Sequence, residues 1–234
     1  MASFKEICLK NGTDKGQHIV NNKEETYADI YQKYFENIRY NNNKILELGV
    51  KTGKSLLALK EYFPNSIIYG LDIDPDCILY NDPNNNIFVE IISQIDEEKL
   101  NNFILDKKFD IILDDASHVN KYSVKSFDIL HPSLNPNGLY IIEDLGCGYL
   151  NIESDQKVSQ IWPGMKYNIN HDFDNNINYI HNFTNTIIES IDLGVTRVRD
   201  QAFDYNSILM NNPFLRGEFS FVHRYKFILI IGKN

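Results

Sequence analysis

Short, almost continuously apolar segments alternate with helical segments along residues 44–144, and this alternation constrains the fold more than any other feature. The apolar segments lack the polar alternation of a half-exposed strand, so each reads as a strand buried on both faces. Such strands are typical of a parallel sheet covered by helices, which predicts a doubly wound α/β fold. The predicted strands are residues 44–49, 65–74, 86–92, 108–115 and 138–144.

The segments between these strands have helical character. Residues 54–63 place Leu56, Leu59 and Phe63 on one side of a helix, and residues 97–106 and 119–134 also read as helices. Pro132 and the turn sequence after it end the last of them. The strand–helix rhythm therefore holds up to residue 144.

Other regions fall outside this rhythm. Residues 1–40 are polar and then helical, which predicts an N-terminal helical cap on a domain spanning residues 41–234. Residues 145–178 lack periodicity and are long for a loop, so we expect a lid or an acceptor-binding insertion there. Two apolar runs around Arg224–Lys226 predict a terminal antiparallel hairpin, which brings the mostly parallel sheet to seven strands.

Composition bears on partners and location. The 234 residues carry a formal net charge of −9, which disfavours a nucleic-acid partner because such proteins rely on a basic face. The three cysteines lie far apart, which indicates neither a disulfide framework nor a zinc site, and no apolar run approaches a membrane-spanning length. We expect a soluble protein of the reducing cytoplasm, without membrane contact. The sequence leaves open whether it forms a homo-oligomer.

A glycine-containing turn, ELGVKTGKS at residues 47–55, follows the first strand and opens the first helix. Gly49 and Gly53 permit a tight turn and close approach of a ligand, and the helix start offers free amides. Lys51 stands where a dinucleotide fingerprint has glycine, and the turn is not a P-loop. The turn predicts a cofactor site, with an unliganded turn and a nicotinamide dehydrogenase as alternatives.

Two acids accompany this turn. Glu47 precedes Gly49, and Asp72 ends the second strand, where an acid can accept hydrogen bonds from ribose hydroxyls. An acid before the turn suits a positively charged ligand better than a pyrophosphate. This pattern resembles the class I S-adenosylmethionine-dependent methyltransferases, whose donor carries a sulfonium and an ammonium group. The resemblance implies a Rossmann-like methyltransferase fold and cofactor contacts at Glu47, Gly49, Thr52, Gly53, Ser55, Asp72, Gln94 (beside the adenine) and Asp114.

Two pairs of acids end neighbouring strands of the predicted sheet. Asp114 and Asp115 end the fourth strand, and Glu143 and Asp144 end the fifth. In the expected order the fourth strand lies between the first and the fifth, about 5 Å from each, so the four carboxylates meet beside the cofactor crevice. They repel unless a divalent cation neutralises them, and oxygen ligands favour Mg²⁺, Mn²⁺ or Ca²⁺. Capping of helices or turns is the alternative.

A more specific resemblance covers most of the chain and is weakest over residues 150–215. The segments GTDK at 12–15, FDIILDDASH at 109–118, GLYIIEDL at 138–145 and FVHRYKFILIIGK at 221–233 resemble the metal-dependent sugar O-methyltransferases of the mycinamicin and macrocin type. The resemblance implies catalytic roles for His118, as general base, and Asp115; metal ligation by Asp115, Glu143 and Asp144; and acceptor contacts at Tyr122, Tyr149 and His223.

The chain departs from that family in places that concern the acceptor. Tyr122 stands where members often carry a second histidine, and His18 is displaced from the helix that starts near Tyr27. Tyr149 and Trp162 would form an acceptor wall in the predicted lid or simply pack within it.

The expected reaction is methyl transfer from S-adenosylmethionine to a hydroxyl of a free sugar, a nucleotide-linked sugar or a glycan precursor in polysaccharide biosynthesis. A cation such as Mg²⁺ or Mn²⁺ acidifies the hydroxyl, and a histidine that titrates near neutral pH takes its proton. One alternative keeps the donor but uses a catechol-like acceptor. Alternatives from other classes are a non-catalytic S-adenosylmethionine-binding module and a nicotinamide-dependent oxidoreductase.

Overall fold

The architecture is that of a computed structural model, which describes residues 1–19, 25–149, 177–195 and 218–234. Its helices are α1 Phe4–Asn11, α2 Tyr27–Phe35, α3 Lys54–Tyr62, α4 Glu97–Ile104, α5 Asn120–Leu130 and α6 Ile177–Val195. Its strands are β1 Lys44–Leu48, β2 Ile67–Asp72, β3 Ile87–Ile91, β4 Phe109–Asp114, β5 Leu134–Ile142, β6 Phe219–Arg224 and β7 Leu229–Lys233. Short 3₁₀ turns include Asp14–Gly16, Pro75–Tyr80, His131–Ser133 and Leu145–Tyr149.

These strands form one sheet in the order β3-β2-β1-β4-β5-β7-β6. Strands β1 to β5 are parallel, and β7 and β6 add an antiparallel hairpin beside β5. Asp114 at the end of β4 pairs with Leu48 of β1 on one side and with Ile142 of β5 on the other. The predicted fold, the place of the fourth strand and the terminal hairpin are confirmed, and the turns after β1, β4 and β5 start at one edge.

Helix α1 is not among the predicted elements, because the first residues are polar and show no apolar periodicity. Its start is a capping box in which the Ser3 hydroxyl accepts from the Glu6 amide at 3.2 Å and Glu6 Oε2 accepts from the Ser3 amide at 2.7 Å. Gly12 ends the helix in the left-handed conformation, with φ +72°. A serine and a glutamate three residues apart thus mark a helix start that apolar periodicity overlooks.

The hydrophobic core lies on both faces of the sheet. Helices α1, α2 and α3 cover one face, where the rings of Phe4, Tyr31, Phe35 and Tyr62 pack together at centroid separations of 5.0 to 6.3 Å. Helices α4, α5 and α6 cover the other face. Because α1 and α2 share a core with the sheet, the N-terminal cap is packed directly onto it. The predicted division at residue 40 stays a prediction.

Helix α6 lies in a region to which the sequence assigns no regular element. Its residues Ile180, Phe183 and Ile187 are buried against α5 and the hairpin. No helix in the described ranges is both long enough and apolar enough to cross a membrane. Most of the predicted lid at 145–178, including Trp162, lies outside the described residues.

Phe127 joins four elements of the second face, and this predicts a large contribution to stability. Its ring lies 4.8 Å from Tyr140, 4.7 Å from Phe183 and 5.7 Å from Phe219, between centroids. We expect Phe127→Ala to lower the free energy of unfolding by about 3–5 kcal/mol, because it leaves a cavity that these rings cannot fill. Urea denaturation would measure the loss. Leu105→Ala is the control, since Leu105 is 85% exposed; an equal effect of the two would contradict the prediction.

Candidate active site

The turn between β1 and α3 lies directly against the turn that follows β4. Gly49 has φ +93°, and a Cβ atom on it would lie 2.3 Å from the backbone oxygen of Asp115 and 2.9 Å from Cα of Ala116. The Asp115 amide donates to the Leu48 carbonyl at 3.0 Å, which holds the two turns together. Both the backbone conformation and the close contact require glycine at position 49. The predicted cofactor turn and the predicted metal-binding turn are therefore neighbours.

The rest of the cofactor turn is fixed by local contacts. Gly53 has φ +67° and precedes α3, and a Cβ atom there would lie 2.5 Å from the ring of Tyr80. Ser55 donates to Glu47 Oε1 at 2.6 Å, and Thr52 is exposed at the tip of the turn. These residues surround the start of α3, and their contacts with a cofactor stay predictions.

Asp72 supports this turn from the neighbouring strand. Its Oδ2 accepts the amides of Val50 at 2.7 Å and Lys51 at 2.9 Å, and its Oδ1 accepts the amide of Asp74 at 2.9 Å. The carboxylate therefore positions the glycine turn through backbone hydrogen bonds. Its predicted contact with a ribose is an additional role that stays a prediction.

Gln94 and Asp114 form a buried polar group behind the site. The Gln94 amide nitrogen donates to Asp114 Oδ1 at 3.3 Å, and its oxygen accepts the Ser117 amide at 3.0 Å. Asp114 also accepts from the Ser126 hydroxyl at 2.8 Å, and burial raises its pKa. Asp114 thus faces α5, so the four acids do not converge on a single point. The cofactor roles of both residues stay predictions.

Three of the predicted site residues do converge. Asp115, His118 and Asp144 each offer a ligand atom, and these atoms lie within 4.8 Å of one another. His118 Nδ1 is 3.9 Å from Asp115 Oδ1, and its Nε2 is 3.5 Å from Asp144 Oδ2. His118 and Asp144 have φ +57° and +53°, conformations that are uncommon outside glycine and that cluster at functional sites. All three side chains are partly exposed, so a small ligand can reach them.

Tyr27 on α2 holds the outer acid of this group. Its hydroxyl donates to Asp144 Oδ1 at 2.6 Å. Burial and the negative charge of Asp144 raise the pKa of Tyr27 well above its usual value, so the phenol keeps its proton and remains a donor. Asp144 is thereby left with Oδ2 directed toward His118.

Lys15 is the site residue that sequence reasoning missed. It lies in the 3₁₀ turn after α1, is only 1% exposed, and points its ammonium group into the acids. Lys15 Nζ is 2.5 Å from Asp115 Oδ2, 2.8 Å from Glu143 Oε1 and 3.5 Å from Glu47 Oε1. We call Lys15, Glu47, Asp115 and Glu143 the inner cluster. Its sequence signal is the GTDK segment, which carries a family resemblance but gives no hint of a contact 100 residues away.

The charges of the inner cluster depend on one another. Burial alone would lower the pKa of Lys15, but Asp115, Glu143 and Glu47 raise it well above its usual value. Burial raises the pKa of Glu47 to about 7, and burial with the charge of Asp115 raises the pKa of Glu143. Lys15 opposes both shifts. The expectation that only a divalent cation can neutralise these acids is therefore corrected, because an ammonium group already neutralises part of them.

The residues predicted near the acceptor belong to three different elements. His223 is on β6, where its Nδ1 is 2.6 Å from the hydroxyl of Tyr34, which is 2.9 Å from the hydroxyl of Tyr225. Tyr122 is half-buried in the first turn of α5. The side chain of Tyr149 lies outside the described residues. The acceptor roles of His223, Tyr122 and Tyr149 stay predictions.

The converging group has the chemistry of a divalent-cation site. Asp115 and Asp144 supply carboxylate oxygens, the ring nitrogens of His118 lie beside them, and the group is partly open to solvent. Oxygen-rich donor sets fit Mg²⁺ or Mn²⁺. Glu143 is 3% exposed and turned toward Lys15, outside the converging group, so its predicted ligation stays a prediction.

The sheet order and the site at its carboxyl edge define the Rossmann-like methyltransferase fold. The MycE methyltransferase from the mycinamycin biosynthetic pathway, solved in complex with Mg and SAH, has this fold. It matches with a TM-score of 0.71 over 100% of this chain and 54% of that chain, at 22% sequence identity. No protein-family model matches the chain.

Sequence comparison finds similar proteins among sugar O-methyltransferases, which confirms the predicted resemblance. The chain is 33% identical over 153 residues to the 8-demethyl-8-alpha-L-rhamnosyl tetracenomycin-C 2'-O-methyltransferase of Streptomyces olivaceus, covering 61% of this chain and 38% of that protein. It is 32% identical over 153 residues to the mycinamicin VI 2''-O-methyltransferase of Micromonospora griseorubida, covering 59% and 33%. The chain thus spans well under half the length of these curated relatives.

The contact at Gly49 predicts a strong effect of a single added methyl group. We expect Gly49→Ala to lower the free energy of unfolding by more than about 3 kcal/mol, because Ala adds a backbone clash to a strained φ. Gly12→Ala is the matched control: its φ is +72°, but its added Cβ would lie 3.6 Å from the nearest atom. It should cost about 1 kcal/mol. If thermal unfolding shows that the two variants lose equal free energies of unfolding, the close contact between the two turns does not require glycine at position 49.

Proposed function

We propose that the chain is an S-adenosylmethionine-dependent O-methyltransferase that acts on a sugar hydroxyl with the help of a divalent cation. The observation that carries this proposal is the convergence of Asp115, His118 and Asp144 beside the glycine turn at Gly49. Both lie at the carboxyl edge of the sheet, where doubly wound folds bind ligands. The similarity to the tetracenomycin-C 2'-O-methyltransferase supports the reaction.

The glycine turn is the proposed donor site. S-adenosylmethionine supplies an activated methyl group on a positively charged sulfur. Gly49 and Gly53 allow the ligand to approach the backbone, and the start of α3 offers amides. Glu47 and Asp72 stay proposed cofactor contacts; Glu47 is buried beside Lys15, and Asp72 also accepts three backbone amides of the turns. The SAH in the MycE complex supports this assignment.

Asp115 and Asp144 are the proposed ligands of Mg²⁺ or Mn²⁺, and Glu143 remains the third ligand expected from the family resemblance. A bound Mg²⁺ lowers the pKa of a hydroxyl group that it contacts. Tyr27 keeps Asp144 in place through its hydrogen bond to Oδ1. The Mg in the MycE complex supports the choice of ion.

His118 is the proposed general base. Its Nδ1 is 3.9 Å from Asp115 Oδ1 and its Nε2 is 3.5 Å from Asp144 Oδ2, so the ring lies beside the proposed metal ligands, where it would take the proton of the acceptor hydroxyl. Its left-handed backbone conformation lies two residues before the start of α5. In-line transfer then depends on alignment of the acceptor with the donor.

The proposed acceptor is a small sugar or nucleotide-linked sugar instead of a nucleic acid, in keeping with the net charge of −9. Tyr122 and His223 are kept as proposed acceptor contacts. Three free cysteines, all buried, support a reducing cytoplasmic location. A homo-oligomer stays a prediction.

Methyl transfer should require both the donor and a divalent cation. We expect transfer of a labelled methyl group from S-adenosylmethionine to a panel of free and nucleotide-linked sugars, loss of transfer with EDTA, and recovery with Mg²⁺. If transfer continues in EDTA, the metal part of the proposal is wrong and the methyl-transfer part stands. A catechol in the panel tests the other acceptor class, and a calorimetric titration with NAD tests the oxidoreductase. Donor binding without transfer to any acceptor would indicate a binding module.

Loss of His118 should slow the chemical step without loss of the cation. We expect His118→Asn to lower kcat by about 10²–10⁴ while Mn²⁺ affinity stays within about threefold. Asparagine is chosen because it tolerates the left-handed conformation, unlike alanine. His131→Gln, at the other end of α5, is the control. If His118→Asn abolishes Mn²⁺ binding as well, His118 is a metal ligand and not the base.

A further inference from the structure

The inner cluster contains a permanent cation that comes from the N-terminal segment. Lys15 contacts one carboxylate in β1, one that follows β4 and one that follows β5, namely Glu47, Asp115 and Glu143. Among the described residues, the other lysine ion pairs involve acids outside this cluster. One ammonium group therefore faces three acids at the edge where the proposed metal site lies.

The backbone that carries Lys15 is held firmly. The Thr13 amide donates to the Cys8 carbonyl at 3.1 Å, and the Gln17 amide donates to the Asp14 carbonyl at 2.7 Å. Gly16 packs closely on α1, since an added Cβ would lie 3.1 Å from Cys8 Cβ. The lysine therefore enters the cluster from a fixed turn, and its ammonium group is a built feature of the site.

Asp115 belongs to both halves of the acid cluster. Its Oδ2 contacts Lys15 at 2.5 Å, and its Oδ1 faces His118 at 3.9 Å, on the side of Asp144. Asp115 thus divides the acids into two groups. Lys15 neutralises the inner carboxylates, and among the described residues the outer carboxylate of Asp144 has His118 as its basic neighbour.

We propose that Lys15 is a positioning residue that shares the acid cluster with the divalent cation: its ammonium neutralises the inner carboxylates and limits how tightly the cation binds the outer ones. This inference rests on the proposed metal site. A positive charge a few ångströms from a divalent ion weakens its binding, because the two cations repel. Lys15 also keeps the inner carboxylates in place when no ion is bound.

Lys15→Met tests the inference, because methionine keeps most of the side-chain length and removes the charge. We expect Mn²⁺, titrated by electron paramagnetic resonance, to bind at least about tenfold more tightly. Without the ion the variant should melt at a lower temperature than the wild type, and saturating Mn²⁺ should raise its Tm by more than it raises that of the wild type. A purely structural role would lower Tm equally with and without Mn²⁺.

Lys5→Met is the matched control. Lys5 also lies in the N-terminal segment and pairs with Asp29 at 2.8 Å, away from the cluster. It should leave the Mn²⁺ affinity unchanged. A second variant, Lys15→Met with Glu47→Gln, removes one positive and one negative charge without changing a proposed metal ligand, so its Mn²⁺ affinity should return toward the wild-type value.

The outcomes separate this inference from the proposed function. If wild type binds Mn²⁺ and Lys15→Met binds it equally or more weakly, the inference is wrong and the proposed function stands. If wild type binds no Mn²⁺, both the metal part of the proposed function and the inference fail. If only the double variant folds, the charge balance is supported; if neither folds, Lys15 supplies more than charge and the inference is overturned.

Discussion

The functional edge of this protein depends on the buried ammonium group of Lys15 among three carboxylates. Glu47, Asp115 and Glu143 come from separate places in the chain, and without a cation the charges of two buried acids and one partly exposed acid would repel one another at this edge. Leaving such acids without their partner costs about 3–5 kcal/mol in comparable buried pairs. The N-terminal segment is therefore part of the site as well as a cover for the sheet.

A second constraint is the backbone contact between two turns. Parallel strands end at the same edge, and β1 and β4 are neighbours, so the turn at Gly49 meets the turn at Asp115 without room for a side chain. This contact fixes the distance between the proposed donor site and the proposed metal site. The left-handed residues His118 and Asp144 bring their side chains to 3.5 Å from each other, beside this contact.

The sequence predicts the fold of this protein more completely than the arrangement of side chains in the candidate site. The strand order is predictable because buried parallel strands with helical crossovers allow few arrangements. That order in turn predicts that Asp115 and Asp144 meet. It does not predict rotamers: Asp114 is the last residue of β4 and accepts a hydrogen bond from Ser126 of α5, and Gln94 donates to Asp114. Adjacent residues in a strand point to opposite faces, so neighbouring acids separate.

The sequence by itself determined the α/β architecture, the glycine turn and the meeting of strand ends, because apolar periodicity and glycine placement are local properties of the chain. Only the tertiary structure decided which carboxylates face one another and which cation they face. Lys15 lies in a short polar turn with no periodic signal, and its partner Asp115 is 100 residues away. Side-chain direction and long-range charge pairing arise from packing, which no local pattern encodes.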